Sequence, residues 1–194
     1  MQKRLAGLIS NALNPFVVTL VVILLLTYES TTSLADAFKW SLILTGLCLL
    51  PVYLAAVCFV RSGQLSAIFS NSRRQRTKIY LFGCVCVAIA FIALWLLGAP
   101  TRLLASLVAG LSAGLLFMAI NLWWKISVHT AFVTAAAVLL VILYGWLALL
   151  AIVIVPLVAW SRRELGQHSP GQVVAGALLA ALNVSVVFYL FGLI

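Results

Sequence analysis

The segment SRRELGQHSPGQ, residues 161–172, gathers side chains that can do chemistry in a chain that is 65% hydrophobic. It holds two arginines and one of the two histidines of the chain. A guanidinium group presents a rigid fork of donors that suits phosphate oxygens. A neutral imidazole is a nucleophile near pH 7, and its charged form donates a proton. The segment therefore combines groups that bind an oxyanion with a group that can attack or protonate it.

Two other polar segments have a similar composition, SNSRRQRTK (70–78) and KISVHT (125–130). Together the three segments contain seven of the twelve Lys and Arg residues and both histidines, His129 and His168. Their only carboxylate is Glu164, so a metal site built from Asp and Glu is not predicted, and a metal-free mechanism without a cofactor is favoured. Two histidines suit a double displacement, in which one attacks phosphorus and the other protonates the leaving oxygen.

The composition indicates the class of protein in which these groups must be positioned. Only 8% of the residues are charged, and three acidic residues stand against twelve basic ones. Such a chain is an integral membrane protein, and its net charge of +9 marks a membrane face or a phosphate site rather than nucleic acid binding. The four cysteines lie in apolar segments and are interpreted as small buried hydrophobic residues.

The apolar runs predict seven membrane helices in one domain, residues 1–194. With six to seven helices expected, the fold class is an all-α polytopic transmembrane bundle. A single helix over 129–160 would be about 48 Å long, more than a hydrocarbon core of about 30 Å requires, so a turn is predicted near Tyr144–Trp146. The predicted spans are 15–33, 37–60, 79–98, 102–124, 129–144, 146–160 and 171–193.

The distribution of positive charge predicts the orientation. With the N-terminus inside, ten basic residues fall on one side and only Lys39 and Arg102 on the other. The N-terminus is interpreted as a retained anchor with an amphipathic lead-in, not a signal peptide. Because two spans separate each polar segment from the next, all three can converge on one face. That face is predicted to be cytoplasmic, in the plasma (inner) membrane.

The last polar segment resembles a known motif. Ser161-Arg162, five residues, His168, three residues and Gln172 are similar to S-R-x5-H-x3-D, the third motif of the type-2 phosphatidic-acid phosphatase superfamily. The sequence ISVH, ending at His129, resembles its second motif, P-S-G-H. RRQRTKI (73–79) lies where the first motif, K-x6-R-P, is expected, with Asn71 in the lysine position. The resemblance covers roughly residues 70–180.

The resemblance implies a phosphatidic-acid-phosphatase-like core and a role for each matched residue. His168 would be the nucleophile and His129 the general acid, in a reaction that uses no metal. Gln172 stands where the family has an aspartate that orients the nucleophile. The implied phosphate-binding residues are Arg73, Arg76, Lys78, Lys125, Ser127 and Arg162.

The expected function is a metal-independent membrane phosphatase that acts on a lipid phosphate or isoprenyl (di)phosphate, with membrane lipids as the other partners. The oligomeric state stays open. Gln172 can accept the imidazole N–H but cannot stabilise an imidazolium as a carboxylate does, so weaker catalysis is expected. Two alternatives remain: a non-catalytic lipid-phosphate binder or transporter on the same scaffold, and a structural membrane subunit.

Overall fold

The computed structural model describes residues 1–69 and 72–194, and in these ranges every regular element is helical. Ser70 and Asn71 lie outside the described residues, so the prediction for Asn71 is not addressed by the structure. The α-helices are α1 (Gln2–Ala12), α2 (Pro15–Ser30), α3 (Leu34–Leu44), α4 (Leu50–Arg61), α5 (Arg73–Leu96), α6 (Thr101–Asn121), α7 (Val128–Tyr144), α8 (Ile154–Glu164) and α9 (Pro170–Leu190).

The predicted fold class is confirmed: the chain is an all-α polytopic bundle, and it is an integral membrane protein. Within residues 1–69 and 72–194, five helical segments are long and apolar enough to cross a membrane by length and composition, and a sixth is added if α1 and α2, bent by 40°, count as one span. The five are Leu34–Arg61, Arg73–Leu96, Thr101–Asn121, Val128–Glu164 and Pro170–Leu190. The count of seven spans stays a prediction.

The chain forms two compact units. Unit 1 consists of Met1–Val22 and Lys125–Ile194, and unit 2 consists of Ile23–Trp124. Unit 1 therefore combines the beginning of the sequence with its end, whereas unit 2 is continuous. The single domain predicted from the apolar runs stays a prediction.

In unit 1, the chain folds back between α7 and α8. Val133 of α7 and Val158 of α8 belong to one buried cluster, together with Val18 of α2. In a straight helix these 25 positions would span about 37 Å, so a reversal must separate them. Gly145 supplies it with a φ of +62°, a region that residues with a Cβ rarely adopt, and a 3-10 helix (Gly145–Val153) leads into α8. The turn lies where the sequence predicted one.

The N-terminal amphipathic lead-in is helix α1, which packs against α8 through its small residues. Asn14 sits at the bend between α1 and α2 and bonds to both helices. Its Nδ2 donates to Asn11 O at 2.6 Å, and its Oδ1 accepts from the backbone N–H groups of Phe16 and Val17. The side chain thus caps the start of α2, where Pro15 at the first position has no N–H that would need an acceptor.

In unit 2, α3 and α4 form one 28-residue span interrupted by a π-helical turn, Thr45–Leu49. The turn immediately precedes α4, whose first turn contains Pro51, which has no N–H to donate. Helix α5 begins at Arg73, six residues before the predicted span at 79, so Arg73–Lys78 form the first turns of the helix. Helix α6 packs on α5 closely enough that a Cβ on Gly114 would lie 2.8 Å from Cys84 Sγ.

Candidate functional site

Six of the predicted site residues belong to one end of unit 1. We call the set formed by Ser10, Lys125–Thr130 and Ser161–Gln172 the polar end of unit 1. It contains the N-termini of α7 and α9, the C-terminus of α8 and the connection between α8 and α9. The predicted residues in it are Lys125, Ser127, His129, Arg162, His168 and Gln172.

His168 is held by the helix that follows it. Ser169 is the N-cap of α9, and Ser169 and Gln172 form a capping box: the Ser169 hydroxyl accepts from Gln172 N at 3.3 Å, and Gln172 Oε1 accepts from Ser169 N at 3.2 Å. The same Oε1 lies 3.1 Å from His168 Nδ1. The backbone N–H of Ser169 requires an acceptor, so the oxygen of the Gln172 amide faces His168. Nδ1 must then carry the proton, and the ring lone pair belongs to Nε2.

Arg162 is a buried cation, 5% exposed, in the last turn of α8. Its Nη1 donates to Ser10 Oγ of α1 at 2.7 Å, and Ser10 is itself 3% exposed. Ala6, one helical turn before Ser10, is fully buried, so α1 presents small side chains to α8 at this point. Burying a guanidinium is costly unless acceptors or an anion compensate its charge.

A second cation closes the connection between α8 and α9. Lys125 Nζ donates to Gln167 O at 2.7 Å, and Gln167 N donates to Arg162 O at 3.0 Å. Gly166, with a φ of +65°, lies in the turn that the bond from Gln167 N to Arg162 O closes. The Lys125 ammonium group is therefore held at the residue that precedes His168.

Ser127 ties the start of α7 to the first turn of α9. It is fully buried, and as N-cap of α7 its hydroxyl accepts from Thr130 N at 3.4 Å. Its own N–H donates to Gln172 O at 3.2 Å, and a Cβ added to Gly176 would lie 2.7 Å from Ser127 O. His129, at the second position of α7, is 3% exposed. Helix α7, which contains His129, and helix α9, which begins two residues after His168, thus meet at Ser127.

The electrostatics of the polar end favour an anion. Unit 1 contains five basic residues and one acidic residue, Glu164, a net charge of +4 without the histidines. Two helix N-termini, each the positive end of a helix dipole, meet where Ser127 bonds to Gln172. Oriented dipoles, Arg162 and Lys125 together provide charge and donors of the kind that bind phosphate.

The three residues predicted from the first motif belong to unit 2. Arg73 Nη1 donates to Trp123 O at 2.6 Å, so it caps the C-terminus of α6. Lys78 Nζ donates to Gln64 Oε1 at 2.7 Å, and Arg76 bonds to Tyr80 one turn away. Their role as phosphate ligands stays a prediction.

Ser10 and Thr130 are buried polar residues of unit 1 that are not among the site residues predicted from the sequence. Ser10 lies four residues after Ala6 on the small face of α1, which marks it as facing another helix but not which one. The Thr130 hydroxyl lies 2.8 Å from Ser127 Oγ. Sequence spacing alone could have identified Thr130, since Ser127 and Thr130 are three residues apart across the start of a helix.

In residues 1–69 and 72–194, no group of three or more His, Cys, Asp or Glu side chains is arranged to hold a metal ion. Metal independence remains a prediction that activity measurements must decide. Comparisons with protein-family models, curated proteins and solved structures find no match to this chain.

Proposed function

We propose that this chain is a metal-independent membrane phosphatase that removes phosphate from a lipid phosphate or isoprenyl (di)phosphate through a phosphohistidine. The observation that carries the proposal is the bond between His168 Nδ1 and Gln172 Oε1, whose direction is set by the Ser169 N–H. This bond leaves Nε2 as the nucleophilic nitrogen. A nucleophile with a fixed tautomer, in the same polar end as Arg162 and Lys125, is what phosphoryl transfer to histidine requires.

The reaction proceeds in two displacements. Nε2 of His168 attacks the terminal phosphorus, a P–N bond forms, and the bond from that phosphorus to the leaving oxygen breaks; this oxygen belongs to the lipid alcohol of a monophosphate or to the lipid monophosphate released from a diphosphate. His129, as the imidazolium, gives its proton to the leaving oxygen. Water then attacks the phosphohistidine, His129 takes a proton from it, and inorganic phosphate leaves as the P–N bond breaks. Arg162 and Lys125 balance the charge on the phosphoryl oxygens in both steps.

The lipid class follows from the location of the polar end at the termini of apolar helices. Helix α9 begins four residues before its first exposed large hydrophobic side chain, Val174, which Leu178 and Leu182 follow at helical spacing. A lipid tail can lie along such a face while its phosphate is held at the helix N-terminus. Prenyl diphosphates and phosphatidate both meet this description.

The alternative function is non-catalytic binding or transport of a phosphorylated lipid. Gln172 favours it, because a neutral amide accepts the imidazole N–H without stabilising the positive charge that develops on His168. Under this alternative the same cations bind the headgroup and no P–O bond breaks.

The test is phosphate release by detergent-purified protein in EDTA. The panel contains a long polyprenyl diphosphate, a short prenyl diphosphate and phosphatidate. We expect His168→Ala and His129→Ala each to lower release from the preferred substrate by at least about a thousandfold. Gln167→Ala is the matched control, because its backbone, not its side chain, makes the bonds in this segment.

Loss of release in both histidine variants, with normal release by Gln167→Ala, would support the phosphatase. Wild-type rates in a folded histidine variant would overturn its assigned role. Lipid binding without release by the wild-type protein would favour the binder.

A further inference from the structure

The hydroxyl of Ser10 has a donor hydrogen that the protein does not use. Arg162 can only donate, so Ser10 Oγ is the acceptor in their 2.7 Å bond. A helical serine usually directs its own hydrogen to the carbonyl three or four residues back. In the described part of the chain, Ser10 makes no such bond, although it is 3% exposed. The Ser10 side chain is therefore more than nine-tenths buried, and its hydroxyl hydrogen has no acceptor in the described part of the protein.

The surroundings of this hydroxyl point to the acceptor that fits it. Buried hydroxyl groups are almost always hydrogen-bonded, and a lost bond costs about 1–3 kcal/mol. The side chain is in direct contact with a buried guanidinium, and Lys125 is connected to Arg162 through Gln167. Next to positively charged side chains, the acceptor of matching chemistry is an anionic oxygen.

We propose that Ser10 is a direct ligand of the anion bound by unit 1: its O–H donates to an oxygen of a phosphate monoester or diphosphate that Arg162 also contacts. The ligand set then includes the N-terminal helix α1, which no phosphate motif in the sequence involves. This inference rests on the proposed function, since the anion is the phosphate on which that function acts. It deepens that function by adding a residue 152 positions away from Arg162.

Helix α1 has the form of an element that lies at a membrane surface. Lys3, Arg4, Leu5 and Leu8 are exposed, whereas Ala6 and Ser10 are buried. A helix with exposed basic and apolar residues on one side and small buried residues on the other suits the interface between headgroups and tails. A phosphate bound through Ser10 would thus be at headgroup depth.

The experiment measures phosphate binding rather than turnover. Full-length detergent-purified protein is titrated calorimetrically with inorganic phosphate and, separately, with phosphatidate in mixed micelles. We expect Ser10→Ala to weaken binding of both ligands by about tenfold or more, the effect of losing one charge-assisted hydrogen bond. Asn11→Ala, the exposed neighbour on the same helix, should bind within about twofold of wild type.

A second pair of variants separates the effect of the hydroxyl group from the effect of side-chain packing. Ser10→Thr and Ser10→Val add the same branched shape at a buried position, and only threonine keeps the hydroxyl. Binding retained by Ser10→Thr and lost by Ser10→Val supports the ligand role. Equal binding by these two variants, or wild-type binding by Ser10→Ala, overturns it.

The outcomes separate this inference from the proposed function. If wild type releases phosphate and Ser10 variants bind it normally, only the role of Ser10 is wrong. If wild type binds neither inorganic phosphate nor phosphatidate, both proposals fall. Loss of micelle binding alone, with inorganic phosphate unaffected, would also overturn a direct contact between Ser10 and phosphate.

Discussion

Gln172 performs two tasks with one oxygen atom. Its Oε1 accepts from Ser169 N, which caps α9, and from His168 Nδ1, which fixes the ring tautomer. Capping and orientation are therefore coupled: the helix cannot begin at this position without also holding the imidazole. The serine-x-x-glutamine spacing of a capping box is visible in the sequence, so this part of the site was predictable from local chemistry.

A carboxylate of the same length should improve the orienting group. In Gln172→Glu, the carboxylate can still accept from Ser169 N and His168 Nδ1, and its charge would stabilise the imidazolium that the proposed attack by His168 creates. We expect kcat to rise by about tenfold or more with a smaller change in KM. Kinetics on the preferred lipid phosphate, in EDTA, measure both constants.

The control for this substitution is Gln172→Leu, which loses both hydrogen bonds. It should lower kcat and weaken the α9 cap by about 1 kcal/mol, seen as earlier thermal unfolding. A glutamate variant that unfolds normally but turns over no faster than wild type would contradict the assigned role of position 172.

The contact between Ser10 and Arg162 could not be predicted from the sequence. Residues close in sequence, such as His168 and Gln172, are brought together by the helix geometry itself. Ser10 and Arg162 meet only because α1 packs on α8, and no local pattern specifies which helices pack together.

At the scale of elements, the crossing of α7 and α9 positions the histidines. Gly176 permits this approach, because its missing side chain leaves room for Ser127 O and Ile126 Cγ2. The carbonyl is part of the backbone at the N-terminus of α7, so it cannot move without displacing the residues that follow, including His129.

Gly176→Ala should therefore destabilise the protein. Alanine favours a helix over glycine by up to about 1 kcal/mol, but a Cβ at 2.7 Å from Ser127 O forces the helices apart, and we expect a net cost of about 1–3 kcal/mol. Thermal unfolding in detergent measures the cost, and phosphate release should fall in parallel as α7 shifts.

Gly110→Ala is the matched control in another helix. Its Cβ would lie 4.0 Å from Val87 Cγ1, an ordinary contact, so the helix propensity gain should dominate. Equal unfolding temperatures for wild type and Gly176→Ala would show that α7 and α9 do not depend on this close approach.

The helix bounds illustrate what apolar patterning can determine. The turn at Gly145 was predicted from the length of the apolar run, and the last predicted span, 171–193, begins one residue after the start of α9. The start of α5 was not predicted from hydropathy. Arg73–Lys78 are polar, so hydropathy assigns them to a separate segment although they form the first turns of the same helix. A basic turn continues a helix readily when its charges can reach polar partners at the membrane surface, as Lys78 does with Gln64.

At the scale of the whole molecule, the charge distribution predicts which side of the membrane each connection faces. The prediction can be checked in a background with the four cysteines replaced by alanine. Ser66→Cys, exposed between α4 and α5, should react with an impermeant thiol reagent only after cells are permeabilised. Thr32→Cys, exposed between α2 and α3, should react in intact cells. The reverse pattern would place the polar connection of residues 61–72 outside.

The order of synthesis follows from the way unit 1 is divided along the chain. Its first 22 residues leave the ribosome before unit 2 exists, and its remaining 70 residues follow only after Trp124. Residues Ile23–Trp124 can therefore fold as they emerge, while α1 must wait for its partner α8, which is made after unit 2. The contact of Ser10 with Arg162 becomes possible only after unit 2 has been made, so a ribosome that stops before Arg162 releases a chain with helices but without the proposed phosphate site.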